Sequence, residues 1–110
     1  MALPLNVFKT INHVATTSPV GIYTAPTGYS AVVLMAQAAN VHPTDSSDIT
    51  FSHKRDSTAT ELVKGTAIPA EDSLSLVTGR LVLETNDSIE VSANVASNIK
   101  VTVSILETLN

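Results

Sequence analysis

An antiparallel β-sandwich of about eight strands, jelly-roll or immunoglobulin-like in connectivity, is predicted for this 110-residue chain from three observations. Short β-rich segments are separated by turn signals roughly every 8–12 residues. No segment carries the 3.6-residue apolar period of an amphipathic helix. The longest apolar run, Ser30 to Ala39, holds no charge and follows the turn signal Pro26-Thr27-Gly28 directly. Short strands with half-apolar patterning bury their surface by stacking one sheet on another. The pattern leaves the two connectivities open. No internal repeat is present, which argues against a solenoid or propeller.

The Ser30–Ala39 run is the element around which the rest is organised. Proline presets φ at the first corner of the preceding turn, and Gly28 accepts the positive φ of a type II turn. Val32, Val33, Leu34 and Met35 break the alternation, so both faces of this strand are expected to be covered. The cover is a second layer of the domain, or another subunit. Helix propensity in Met35-Ala36-Gln37-Ala38-Ala39 is the competing signal, outweighed by the β-branched start after a turn.

Taken in order, Pro4 makes Met1 to Leu5 extended, and Val7 to Val14 is a first strand. An N-terminal arm over residues 1–12 is available to reach a neighbouring molecule. Val20 to Thr24 is a short strand before the turn. Asn40 to Asp48 is a polar loop. Ile49, Phe51 and His53 then share one strand face, Lys54-Arg55-Asp56-Ser57 is a hairpin tip, and Thr60 to Lys64 returns antiparallel. Gly65 breaks that strand, and Ala67-Ile68-Pro69 reads as an extended edge, because proline lacks the ladder donor. Glu71-Asp72 is a turn. Leu74 and Leu76 share a face in the next short strand, Thr78-Gly79 breaks it, and Arg80 to Glu84 follows. Asn86-Asp87 is a turn, and Ile89, Val91 and Ala93 alternate inward. The last strand, Ile99 to Leu109, places Ile99, Val101, Val103 and Ile105 on one face.

The length fits one domain, residues 1–110. With no cysteine, neither disulfides nor thiolate metal sites are available, which fits assembly in a reducing cytosol. The start of the chain has no basic n-region, and no apolar run approaches the ~18 residues of a membrane span, so neither a signal peptide nor membrane insertion is expected. Charged residues are 15% of the chain, against roughly 25% in ordinary domains. Part of the surface is therefore expected to be covered by copies of the chain or by a larger assembly. The net charge is −4 and the six basic residues are scattered, which argues against nucleic-acid binding.

Catalytic chemistry finds no purchase. His13, His42 and His53 fall on different elements without ligand spacing. No Gly-x-Ser-x-Gly elbow is present. Glu71-Asp72 are neighbours that would face opposite ways on a strand, and Asp45-Ser46-Ser47-Asp48 lacks the further ligands of a calcium loop. Glycine is too sparse for a phosphate cradle. No catalytic residue, metal ligand or cofactor is expected. Phe8, Tyr23, Tyr29 and Phe51 are the aromatic residues. Tyr23 and Tyr29 flank the Pro-Thr-Gly turn, either stapling it to the sandwich edge or forming an exposed pair of the kind a lectin uses.

Tyr23-Thr24-Ala25-Pro26-Thr27-Gly28-Tyr29, Ala39-Asn40, Ile49-Thr50-Phe51-Ser52-His53, Glu61-Leu62-Val63, Ile68-Pro69-Ala70-Glu71-Asp72, Gly79 to Asp87 and Val103 to Asn110 together resemble small virion structural proteins of tailed bacteriophages, of the T4-like cyanophage type. The resemblance spans nearly the whole chain. It implies a non-enzymatic virion protein, assembled in the host cytoplasm, with no catalytic residues to transfer. The expected role is a capsid decoration or cement subunit that oligomerises and binds neighbouring virion proteins, the major capsid protein first among them. A neck, tail or fibre component, or a carbohydrate-binding sandwich for host recognition, are the alternatives. The residues expected at subunit contacts are Val7, Phe8, Tyr23, Tyr29, Val33 and Met35.

Overall fold

A computed structural model describes residues 6–110. The strands are β1 (Asn6–Val14), β2 (Val20–Thr24), β3 (Tyr29–Asn40), β4 (Ser47–Arg55), β5 (Thr58–Ile68), β6 (Ser73–Ser75), β7 (Leu81–Leu83), β8 (Ser88–Ala93) and β9 (Ile99–Leu109). No helix occurs among the described residues. One sheet has the order β1-β9-β3-β6, with β7 also on β3, and the other has the order β2-β8-β4-β5. All pairings are antiparallel.

This order resolves the connectivity. First pairs with last, β2 with β8, β3 with β6 and β7, and β4 with β5. Such nested pairing is one long hairpin rolled up across two sheets, the jelly roll. The strand opposite β3's other neighbour is interrupted by the Thr78-Gly79 break, where Gly79 takes a φ of 83°. That gap separates β6 from β7.

The core forms between the sheets. Ile49, Phe51, Ile89 and Val91 come from one, and Val33, Leu83, Ile99, Val101, Val103 and Ile105 from the other; all are buried. The inward parity read for β8 and β9 is the one observed. Asn40, 1% exposed, closes one end of the core. Its Nδ2 donates to the carbonyls of Asp45 at 2.8 Å and Ile68 at 2.9 Å, and its Oδ1 accepts from the His42 N–H at 3.0 Å. Buried amides without such partners would cost stability.

Four expectations need correction. The arm over residues 1–12 is, from Asn6 onward, strand β1, laddered along β9 from Asn6↔Thr108 to Val14↔Lys100; Met1 to Leu5 lie outside the described residues. The double cover of Val32 to Met35 is replaced by a bulge. The register slips between Val33 and Met35, so Ala31 and Val33 point inward before it and Ala36 and Ala38 after it. An extra residue reverses strand parity, which accounts for the consecutive apolar residues. Gly65 does not end its strand. With φ of 58° it forms an irregularity, its N–H donating to Thr50 Oγ1 at 3.0 Å, and β5 continues to Ile68 as the sheet edge. Finally, Pro26 accepts the turn bond from the Tyr29 N–H at 3.0 Å rather than forming its first corner; Gly28 supplies the positive φ, at 88°.

Candidate subunit interface

Strand parity on β9 sends Lys100, Thr102, Ser104, Leu106 and Thr108 outward, since Val101, Val103, Ile105 and Glu107 are buried. Registered against them, the outer face of this sheet is a set of cross-strand rows. Asn6, Thr108 and Ser30 make one. Phe8, Leu106, Val32 and Val82 make the next, an apolar row across four strands. Thr10, Ser104 and Met35 follow, then Asn12, Thr102, Gln37 and Ser75, then Val14, Lys100, Ala39 and Ser73. Hydroxyls tie neighbouring strands on this face: Thr102 Oγ1 donates to Asn12 Oδ1 at 2.9 Å and Thr108 Oγ1 to Asn6 Oδ1 at 3.0 Å. Phe8 is 74% exposed and Val82 57%. The one charge on the face is Lys100, in its end row.

The opposite sheet differs. Its outward rows hold Glu90, Ser52 and Glu61 beside Ser88, Lys54 and Ala59, with Lys54 Nζ 3.1 Å from Glu90 Oε2. One broad surface of the sandwich is thus charged, and the other is apolar and hydroxylic.

Two polar clusters hold the sheets together. Glu107, on the inward side of β9, is 4% exposed. It accepts a short hydrogen bond from the Tyr23 hydroxyl of β2 and lies 3.2 Å from Lys9 Nζ of β1. Burial first, then the bond to Glu107, push the Tyr23 hydroxyl above the ordinary tyrosine range. The second cluster closes the β7–β8 turn. Asp87, 2% exposed, accepts from Arg55 Nε at 2.9 Å and from its terminal nitrogen at 2.7 Å, and from the Glu84 N–H at 3.0 Å. His53 Nε2 lies 3.1 Å away. The Arg55 bonds hold the Asp87 carboxyl well below the usual carboxylate range against the opposing effect of burial, with His53 and the Glu84 N–H adding to the depression.

Of the residues expected at contacts, Phe8 and Met35 lie on the uncharged face. Val7 is on the inward side of β1, opposite Glu107. Tyr29 is half-buried at the start of β3. Val33 is fully buried in the sandwich, so it is corrected to a core residue. Tyr23 is 9% exposed and bound to Glu107, so an exposed Tyr23–Tyr29 pair does not exist; its bond to the other sheet is the staple. Leu106, Val32 and Val82 were missed; of the three, only Leu106, opposite in parity to Val103 and Ile105, is marked as outward by the pattern of its strand.

The histidines remain apart in role. His53 serves Asp87. The Nδ1 of His42 accepts from the N–H groups of Thr44 at 3.2 Å and Asp45 at 2.9 Å, so its basic nitrogen is spent on shaping its loop. His13 is on β1, its Nε2 buried and without a hydrogen-bond partner. Among the described residues, no three His, Asp or Glu side chains converge as a metal site.

No protein-family model matches this chain, and no curated protein matches it in sequence. Its fold has counterparts among solved structures. A chain of the acid-stable capsid of Helicobacter pylori bacteriophage KHP30 superposes with a TM-score of 0.58 at 10% identity, over 96% of this chain and 89% of that one. A subunit of the disulfide-linked pili that form Bacillus endospore appendages gives 0.52 at 17% identity, over 96% and 88%. The VP2 subviral particle of infectious bursal disease virus gives 0.51 at 8% identity, over 96% of this chain but 33% of that one. Identities this low establish shared architecture: the chain is a jelly roll of the kind found in viral shells and in an assembled pilus.

Proposed function

We propose that this chain is a non-enzymatic virion structural protein, a capsid decoration or cement subunit that binds neighbouring capsid proteins, the major capsid protein first. The observation that carries the reading is the contrast between the two sheets. Folding alone gives no reason to place Phe8, Val82, Leu106 and Val32 in one row on the water side of a sheet, and a contiguous exposed apolar patch marks a contact surface. Burying it against a neighbour contributes roughly 25 cal/mol per Å² before association costs. The bacteriophage capsid chain, which matches over most of both lengths, supports the same reading at the level of fold, as does the resemblance of the turns and strands to tailed-phage virion proteins. The protein acts by cohesion, in the virion, without nucleic acid, membrane or cofactor as partner.

The test is a cryo-EM map of the particle that carries this protein, with particles lacking it as control. Density for the jelly roll on the head surface, and co-sedimentation of added protein with the deficient particles, are expected. Density at the neck, tail or fibre would replace the decoration role by that alternative. Absence from the particle would overturn the virion reading. Of the two tyrosines behind the carbohydrate-binding alternative, Tyr23 is bound to Glu107 inside the sandwich; glycan-array binding lost on Tyr29→Ala would favour that alternative.

A further inference from the structure

We infer that the uncharged outer face of the β1-β9-β3-β7 sheet binds a second copy of this chain, face to face about a two-fold axis. This deepens the assembly reading and rests on it for the use of this face as a contact; it makes the neighbour on this face a second copy and leaves the charged sheet and the rims of the pair to the other shell proteins. Charge is the first argument. Each molecule carries −4, so two copies repel wherever their acidic groups meet. The charge-free rows are where they approach without that repulsion. A foreign partner is ordinarily set in register by complementary charges, and the single charge of this face, Lys100, lies in its end row.

Geometry is the second argument. An axis in the contact plane, running along the strands between β9 and β3, reverses the order of each row. Phe8 of one copy then covers Val82 of the other, and Leu106 covers Val32. A row of four apolar side chains across four registered strands is its own complement under that operation, as an isologous contact demands. Sheets stacked in this way keep their strands within about 30° of each other. Lys100, exposed in the end row, reaches water along its flexible stem.

Area is the third. Strand spacing near 4.8 Å and a rise near 3.4 Å per residue give the face about 500 Å². Two such faces bury about 1,000 Å², at the threshold for a specific interface. A dimer with micromolar dissociation is expected.

The experiment is sedimentation equilibrium of the full-length protein, with Phe8→Asp, Val82→Asp and, on the opposite sheet, Ser92→Lys. Both acidic substitutions fall on exposed positions, and circular dichroism checks that each variant folds. The proposal expects a concentration-dependent dimer, weakened about a hundredfold or more by either acidic variant, because each places two buried charges in the contact, and unchanged by Ser92→Lys. A dimer indifferent to both acidic variants overturns it, since the copies would then meet elsewhere. A monomer at all concentrations overturns it too. Binding of the same proteins to deficient particles separates the two readings: a monomer whose particle binding is lost with Phe8→Asp leaves the virion role standing and gives the face to a shell protein, whereas a dimer that binds no particle leaves the pairing standing and removes the cement role.

Discussion

Replacing Asp87 by asparagine tests whether the β7–β8 turn is clasped by charge or only by shape. The side chain is isosteric, so packing is retained and only the acceptor charge is lost. Arg55 is half exposed, its side chain 52% accessible, and water screens that pair, so its loss costs little. The buried contacts decide the magnitude. Asp87 also accepts from the Glu84 N–H and faces His53, inside a site where the carboxylate is 3% accessible. An amide that turns an NH₂ toward these donors leaves one or two of them unpaired, at about 1 kcal/mol each, giving about 1–2 kcal/mol in all. For a domain of this size that corresponds to a melting temperature lower by on the order of 4–8 °C. Calorimetry across pH provides the second readout. The carboxyl is held below its ordinary value of 3.8 in the folded state, so its contribution is fully present above that value and is lost as pH falls toward the lower folded value. The gap between wild type and Asp87→Asn should therefore narrow below about pH 4. A variant as stable as wild type at pH 7, or a gap that persists unchanged to pH 3, would refute the charged clasp.

Two further substitutions probe separate parts of the fold. Tyr23→Phe leaves the buried Glu107 carboxylate with one donor fewer, and urea denaturation should report a loss of about 1.5–3 kcal/mol; an unchanged midpoint would show that the inter-sheet bond contributes nothing. In a Tyr29→Phe background Tyr23 is the remaining tyrosine, and its raised pKa means that it stays protonated while the unfolded chain ionises, so stability should fall as pH rises above the ordinary value of 10.0; tyrosinate absorbance appearing in the folded protein below that pH would contradict it. Gly28→Ala forces a side chain into a φ of 88° and should cost about 1 kcal/mol or more; a neutral result in thermal unfolding would mean that the turn relaxes.

Period-two alternation made most of this fold legible. Ser88–Ala93 and Ile99–Leu109 have strict parity, and both strands carry the predicted faces. The strand predicted from Ser30 is observed as β3, its helix-favouring end included, because the pairing of β9 along its whole length outweighs local propensity. Parity failed where a residue was inserted: nothing in Val32-Val33-Leu34-Met35 distinguishes a bulge from a strand buried on both faces. Glu107 shows a different gap. It continues the inward series of Val103 and Ile105, so its burial follows from position alone, but its partners do not. Tyr23 and Lys9 come from the far end of the chain, and only the nesting of β1 and β2 against β9 and β8 brings them there. The same holds for the Asp87 clasp, where a correctly read turn meets the end of β4.

The uncharged face was hidden for the same reason, since pairing assembles its rows from strands distant in sequence. Charged residues are 15% of the chain. At that share the eighteen outward register positions of this face would carry about three charges; they carry one, Lys100. Two other charged residues of these strands, Lys9 and Glu107, lie on the inward parity and neutralise each other at 3.2 Å. The opposite sheet, folded from the same composition, keeps Glu61, Glu90 and Lys54 on its water side. A polar face built from asparagine amides and serine and threonine hydroxyls can lose its water at modest cost, because Asn6–Thr108 and Asn12–Thr102 already satisfy part of each other's hydrogen bonding. Charged side chains there would make the same desolvation prohibitive. The placement of charge therefore separates a surface suited to leave water from one suited to remain in it, and the apolar row of Phe8, Leu106, Val32 and Val82 supplies the gain on the first.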